Sequence, residues 1–375
     1  MKKILIIGGG ASGLMCAIRL KQINSQFAIT IIEKNSRIGQ KILKTGNGRC
    51  NISNLDMTAV YYNHPEFMDK CLKKHNVSDI VDFFCHLGLL IKTDGSTRLY
   101  PYSESAVSVL EILRRQIDKM DIEVRCNTIV SKIMKNNKFH IHVGSERIDA
   151  DYVVLAAGSV AQNNSDSYAL VKNFNHKIIK VRPGLVPLKT GSKLKSLRGI
   201  RVKCMASVLK KNKIVHREYG EILFKDDGLS GVLALNLSRY ADNGSKIFLD
   251  FIHDVDESDL NVIFNNFSLK EALIGILPKM LAMDIYKKVA YKNINDILYA
   301  LRNYQLDVIG TYGFHQAQIA LGGVDIKEIN DDFSSKLIEN LYIIGEMLDI
   351  DGACGGYNLH FAWISGMIAA ESIGF

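Results

Sequence analysis

The sequence predicts an α/β fold whose nucleotide-binding sheet-and-helix domain is divided between the two ends of the chain. Three observations lead there. A glycine-rich turn, Gly8-Gly9-Gly10-Ala11-Ser12-Gly13, joins an apolar strand to a helix at the N-terminus. A further apolar strand and helix lie after residue 340. Between them, from Pro183, the texture changes to short strand-like runs with glycine turns and then to helix. The 375 residues allow two or three domains, and 47% hydrophobic against 23% charged residues, with 5 prolines, is the balance of a folded globular protein.

In chain order, 3–7 reads as a buried strand, 11–22 as a helix and 28–33 as a second apolar strand. Residues 36–54, rich in Gly, Asn, Lys and Arg, read as an ordered loop or short-helix region. Helices are expected over 65–75 and 78–87, the second stopped by Gly88, and a hairpin over 89–99 turned at Asp94-Gly95. An amphipathic helix is expected over 103–120. Strands near 121–126, 129–135, 138–143 and 146–149 are expected to form one small antiparallel unit, ahead of a strand over 152–156. Residues 183–254 read as a compact β domain, 256–303 as helical, 305–321 as strand, 341–344 as strand and 357–372 as the terminal helix.

Seven cysteines (16, 50, 71, 85, 126, 204 and 354) are odd in number and hold no C-x-x-C pair. That pattern argues against a disulfide scaffold and a structural zinc site, and predicts free thiols, no metal and a cytoplasmic location. Met1-Lys2-Lys3 and the uncharged run 4–18 imitate a signal peptide, but four glycines between positions 8 and 13 and the lack of a cleavage site make this structure. The uncharged run 352–370 carries several glycines plus Asn358 and His360, a poor membrane span, so no membrane partner is expected.

The net charge of +8 is concentrated. Fourteen of the 47 basic residues fall between Lys172 and Arg217 with no Asp or Glu among them, leaving 33 basic against 39 acidic elsewhere. Three readings stay open for this run: solvent-facing lysines with acidic neighbours in space, a face for RNA or another polyanion, or a pocket for a cofactor phosphate.

The first turn supplies G-x-G-x-x-G. Gly8 allows the tight turn, Gly10 lets the backbone approach a pyrophosphate, and Gly13 lets helix and strand pack closely. Ala11 and Ser12 open the helix, whose free N–H groups favour phosphate. Glu33 follows twenty residues after Gly13, at the end of the second strand, where a carboxylate can hold ribose hydroxyls. Residues 37–41 and 45–51 follow closely. A second strand ends at Ala157-Gly158, and a third, ending at Gly345-Glu346, is followed by Gly355-Gly356-Tyr357-Asn358 at a helix start. A first βαβ unit at one end and a last strand and helix at the other is the arrangement of two-dinucleotide-type flavoproteins, in which that helix start faces the flavin's pyrimidine edge.

The runs IGQKILKTGNGRCNISN (38–54), GEILFKDDGLSG (220–231), LGGVDIKEI (321–329) and LYIIGEMLDIDGACGGYNLHFAWISG (341–366) make the resemblance specific. The chain resembles, almost end to end, the BaiN/RdsA (YhiN-like) family of NAD(P)/FAD-dependent oxidoreductases. The resemblance implies an FAD-binding Rossmann-like domain from 1–182 and 322–375, an inserted β-barrel from 183–255 and 304–321, and a helical subdomain from 256–303. It implies NAD(P)H as electron donor and, as substrate, either a small unsaturated ketone or uridine in large-subunit ribosomal RNA, reduced to dihydrouridine; an amine substrate and a non-catalytic flavin-containing RNA-binding factor are the alternatives. The sequence departs from the family pattern at Ala157-Gly158-Ser159 and at 162–166, where further glycines are usual, and at Lys225-Asp226, where Thr-His is common.

The expected cofactor contacts are Gly8, Gly10, Ala11, Ser12, Gly13, Glu33, Lys34 and Lys41 in the first part of the chain, then Gly48, Arg49, Cys50 and Asn51 in the loop. Val130, Ala157 and Gly158 follow, and Gly345, Glu346, Gly355, Gly356, Tyr357, Asn358 and Leu359 complete them. Cys50 and His360 are the candidate proton donors. Cys50 also reads as a packing contact of the flavin or an inert thiol, and His360 as a satisfied helix histidine.

Overall fold

The computed structural model describes residues 2–162 and 167–375. The departure at positions 163–166 lies outside the described residues. The chain forms two compact units, Met1–Arg182 with Ile319–Phe375, and Pro183–Gln318.

The first unit is built on five parallel strands in the order Leu341–Ile343, Tyr152–Leu155, Lys3–Ile7, Ala28–Ile32, Glu123–Arg125. Its inner strands are continuous apolar runs because a parallel sheet is covered on both faces. The first helix, Ala11–Ile23, and the last, Tyr357–Gly374, pack on each other through small residues. A Cβ added at Gly366 would sit 2.5 Å from the Ser12 carbonyl oxygen, so only glycine permits that approach. Although the last helix is apolar almost all round, it is a core helix of this unit; among the described residues no helix is long and apolar enough to cross a membrane.

Strand Glu123–Arg125 corrects one expectation. It joins the edge of the parallel sheet, in register Thr30↔Glu123, and not the antiparallel unit, which contains only Val130–Lys135, Phe139–Val143 and Glu146–Ala150. The Ala106–Lys119 helix returns the chain to start a new strand parallel to Ala28–Ile32, which is the crossover geometry a parallel pair requires. A separate three-stranded sheet pairs Ser53–Asn54 with Arg98–Pro101 and the latter with Ile91–Thr93.

The second unit is a closed antiparallel barrel in the order Leu188–Thr190, Gly228–Ser230, Lys213–Lys225, Arg201–Lys210, Lys246–Asp250, Tyr304–Thr311. Helices Glu257–Asn266, Leu269–Ile276, Lys279–Lys288 and Ile294–Arg302 share one apolar core with it. Two features differ from the sequence reading. Residues Gly231–Leu237 form a helix within the β stretch, burying Leu233, Ala234 and Leu237. Strand Ile319–Val324 pairs outside the barrel with Ile178–Gly184, so the unit ends at Gln318, three residues before the expected boundary at 321.

Candidate active site

The glycine turn has the shape its spacing predicts. A Cβ at Gly8 (φ 110°) would lie 2.3 Å from the Ala156 carbonyl oxygen, and one at Gly13 would lie 2.0 Å from the Gly8 carbonyl oxygen. Both positions are closed by the protein's own packing. Gly10 differs: it caps the first helix with extended backbone, and nothing lies within 4 Å of where its Cβ would be. The helix start therefore opens onto free space at Gly10, with half-buried Ala11 next and Ser12 set beneath against Gly345.

Glu33 is buried and held from both sides. Gly9 N–H donates to its Oε2 (2.9 Å), and the Asn35 N–H and Nδ2 donate to its Oε1 (2.9 and 2.6 Å). Oε2, with a single donor, has acceptor capacity left for a hydroxyl. Thr128 N–H donates to the Glu33 carbonyl (3.0 Å), which brings the start of the Val130 strand beside this carboxylate. Lys34 is half-buried next to it. Lys41 Nζ donates to Glu346 Oε2 (2.7 Å) while Glu346 Oε1 accepts from Ala320 N–H (3.0 Å), and Gly345 N–H donates to Ser365 Oγ (3.1 Å). Ala157 is half-buried just beyond the strand end, and Gly158 adopts φ 71° with open space where a Cβ would point.

The loop Thr45–Asn51 is compact because its sequence tolerates left-handed backbone: Gly46, Asn47 and Gly48 take φ of 55°, 56° and 84°. Cys50 also has φ 60°, which a non-glycine residue adopts only when its surroundings enforce it. Arg49 lies over the Tyr100 ring at 4.5 Å and 3.7 Å from Glu104. The loop then meets the Gly355-Gly356 turn. A Cβ on Gly356 (φ 100°) would stand 2.5 Å from the Ser53 carbonyl oxygen and 2.9 Å from Asn51 Oδ1. Asn51 Oδ1 is buried with no hydrogen-bond partner among the described residues, an acceptor left open beside the start of the last helix. The Tyr357 ring lies 4.6 Å from that of Tyr61, the two tilted by 34°, and Leu359 is half-buried in the first turn of the helix.

The two candidate proton donors are placed differently from what that role requires. Cys50 is fully buried, and burial pushes its thiol up to about 12 against the opposing hydrogen bond with Thr45. His360 is fully buried as well. It shares a 2.9 Å hydrogen bond between Nδ1 and Ser53 Oγ, and burial, with a smaller push from His75, drives it down to about 3. It is a neutral imidazole inside the core. Asn358 also turns inward: its Oδ1 accepts from Gly352 N–H and its Nδ2 donates to the Gly352 carbonyl, both at 2.8 Å, so it clamps the preceding loop.

Three residues absent from the sequence-derived set belong to this site. Asn54 Nδ2 donates to the Gly355 carbonyl (2.8 Å), Ser53 braces Gly356, and Arg98, paired with Asn54 across the strands, has Nε 3.7 Å from the position of a Cβ on Gly355. Ser53 and Asn54 follow GNGRCN after Ile52 and close the run 38–54, so the signal that locates them is that longer run. Arg98 has no comparable local signal, since TRLYP reads as an ordinary hairpin strand.

No group of three metal-ligating side chains occurs among the described residues. The basic run divides between the two units. In the first, Lys177 pairs with Asp325 (3.1 Å). In the second, Arg198 pairs with Asp226 (3.3 Å), Arg201 with Glu221 (2.6 Å) and Lys210 with Asp242 (2.7 Å). Lys203, Lys211, Lys213 and Arg217 are exposed on the hairpin Arg201–Lys225 with no ion pair among the described residues. Exposed Tyr219 lies on the same face as Lys203 and Arg217 and packs edge-on against His253 at 5.1 Å.

Residues 2–372 match the family model described as HI0933-like protein Rossmann domain. A 3-dehydro-bile acid delta(4,6)-reductase of Clostridium scindens is 32% identical, over 99% of both chains. A ribosomal RNA dihydrouridine synthase of Haemophilus influenzae is 28% identical over 98% of both chains; one of Escherichia coli is 28% identical over 98% of this chain and 97% of its own. Among solved structures, a 3-ketosteroid-delta4-(5alpha)-dehydrogenase of Rhodococcus jostii superposes with a TM-score of 0.53 at 12% identity, covering 100% of this chain and 97% of that one. The Escherichia coli quinol fumarate reductase subunit FrdA gives 0.51 at 13% identity, covering 100% and 70%. These two likenesses are of fold.

Proposed function

The chain belongs to the HI0933-like Rossmann family, and on that premise we propose that it transfers hydride from NAD(P)H, through FAD, to a C=C bond conjugated to a carbonyl, with uridine of large-subunit ribosomal RNA as the favoured acceptor. It is a flavin-dependent oxidoreductase. The residues present fit FAD: open space at Gly10 for a pyrophosphate, a carboxylate at Glu33 with spare acceptor capacity, and the unsatisfied Asn51 Oδ1, which suits an N–H such as the flavin ring carries at N3. FAD, when bound, supplies the two-electron hydride chemistry.

The rest falls to the chain. The N-terminus of the Ala11–Ile23 helix would hold the phosphates and Glu33 the ribose, while the Lys41–Glu346 pair and the Gly355-Gly356 turn would bracket the ring. Cys50 and His360 are not carried forward as proton donors, because neither has access to a substrate.

The observation that carries the RNA reading is the Arg201–Lys225 hairpin. Four exposed cations without ion pairs beside an exposed tyrosine match a phosphodiester chain with bases to stack. Two relatives spanning nearly the whole chain are ribosomal RNA dihydrouridine synthases, and uracil's 5,6 double bond is conjugated to a carbonyl. Mass spectrometry of ribosomal RNA nucleosides with and without the gene tests it: dihydrouridine should disappear on deletion, and its unchanged presence defeats the RNA assignment.

A second reading keeps the same flavin site for a small unsaturated ketone, favoured by the 32% identity to the bile acid reductase. Turnover of a 3-oxo-4,6-diene steroid, with ribosomal RNA unaffected by deletion, would select it.

A further inference from the structure

We propose that Arg98 is a catalytic residue, whose guanidinium binds the substrate's conjugated carbonyl oxygen and holds the negative charge that collects there during reduction. The inference rests on the reading above, that the acceptor is a C=C bond conjugated to a carbonyl.

Placement is the first ground. Arg98 opens the strand Arg98–Pro101, in register with Asn54, whose side chain is tied to the Gly355 carbonyl at 2.8 Å. The antiparallel pairing thus lays the arginine against the glycine turn that begins the last helix, with Nε 3.7 Å from where a Gly355 Cβ would be. The second ground is its lack of a partner. Its side chain is half-buried, yet among the described residues it makes no hydrogen bond and no ion pair. Its charge is felt only at longer range, by Asp94 and by the Tyr357 phenol. Arg49, the other arginine near this turn, lies 3.7 Å from Glu104, a carboxylate that Lys92 shares at 2.8 Å.

A half-buried guanidinium without an anion costs free energy, which the fold retains here beside the cofactor turn. Such an arginine stays protonated at every working pH and presents planar donors, so it acts as a fixed positive centre and not as a titrating acid. Hydride joins the β-carbon, the C=C electron pair shifts toward the carbonyl, and the oxygen gains negative charge. Arg98 stabilises that oxygen through charge-assisted hydrogen bonds made strongest at the transition state. A proton from water then joins the α-carbon and the carbonyl re-forms. The substrate would gain one hydride and one proton, the hydride with its two electrons being what FAD would supply in its reduced form together with release of a proton, while Arg98 keeps its own.

The test separates half-reactions in the holoenzyme with Arg98→Met and Arg98→Lys. Reduced enzyme is mixed in a stopped-flow with a ribosomal RNA fragment and with a 3-oxo-4,6-diene steroid, and flavin reoxidation is followed. Arg98→Met should slow reoxidation by about 100-fold or more, with FAD content, flavin spectrum and midpoint potential held at wild-type values, and Arg98→Lys should recover part of the rate. Reoxidation within about threefold of wild type in Arg98→Met overturns the proposal, as does slowing accompanied by a shifted potential, which would place the guanidinium on the flavin. If Arg98→Met does not fold, Arg98→Lys is judged alone: wild-type reoxidation overturns, slowing at unchanged potential supports. Wild-type enzyme that binds and reduces flavin yet is reoxidised by neither acceptor defeats the functional reading, and Arg98 with it; an active wild type with an equally active Arg98→Met defeats Arg98 alone.

Discussion

At the residue scale, burial decides which groups do chemistry. Cys50 carries a left-handed φ of 60° and a thiol held near 12, the marks of a packing residue. Cys50→Ala should keep FAD content and turnover while lowering stability by about 1 kcal/mol, read by urea unfolding, for the lost buried sulfur. A turnover loss of tenfold or more would restore the thiol to the mechanism. His360 makes a pH prediction. Unfolded, it takes its proton near pH 6.5; folded, it resists down to about 3. Above pH 6.5 neither state holds that proton. As pH falls from 6.5 toward 3 the unfolded state binds more, so stability is lost at up to about 1.4 kcal/mol per pH unit. His360→Asn should flatten the fall in unfolding free energy between pH 6.5 and 4.5 by up to one proton's worth, measured by urea titration at several pH values. The sequence offered a packing thiol and a helix histidine as readings of these two residues without deciding them against the acid. GNGRCN and GGYNLH name the neighbourhood, but which side of the backbone each side chain takes follows from the Ser53–His360 and Thr45–Cys50 contacts across it.

At the element scale, the glycines of the first turn divide by what blocks each. Gly13→Ala pushes a methyl to 2.0 Å from a carbonyl oxygen of the turn, so it should destabilise by about 1–3 kcal/mol or more, visible as a lower Tm. Gly10→Ala meets no protein atom within 4 Å, and its extended backbone suits alanine. That variant should fold with a Tm near wild-type apoprotein but purify with little or no yellow colour, because the methyl intrudes only on a bound pyrophosphate; normal flavin content would remove the phosphates from this turn. The packing of Gly8 and Gly13 was readable because strand, turn and helix are contiguous and the spacing is set by backbone geometry. The strand Glu123–Arg125 was not, since a short run carries no mark of which neighbour it takes, and the helix Gly231–Leu237 was not, since seven mostly apolar residues have no resolvable period. Arg98 belongs with these: its meaning comes from a pairing with Asn54, 44 residues earlier.

At the scale of the whole molecule, the net positive charge resolves into neutralised and free parts. The sequence shows that Lys172 to Arg217 lacks acids; it does not show that Asp226, Glu221, Asp242 and Asp325 return to cover Arg198, Arg201, Lys210 and Lys177. What is left on the Arg201–Lys225 hairpin sets a prediction. Replacing Lys203, Lys211, Lys213 and Arg217 together by glutamine should weaken binding to a ribosomal RNA fragment across sequences and reduce the slope of log K against log salt by about 3, at roughly 0.7–0.9 per contact. Flavin content should be unchanged. An unaltered slope would move the RNA contact elsewhere.

The sheet that interleaves Lys3–Ile7 with Leu341–Ile343 through Tyr152–Leu155, and the Gly366 contact that locks the first helix to the last, also have a consequence for biosynthesis. During translation the glycine turn at 8–13 is made some 340 residues ahead of the Gly355-Gly356 turn. At roughly 5–20 residues per second the nascent chain spends some 20–70 seconds with half a cofactor cradle. On the proposed flavin site, prosthetic-group loading waits until the Gly355-Gly356 turn has been made, and a message cut short ahead of that turn should yield a protein that has a barrel and no flavin.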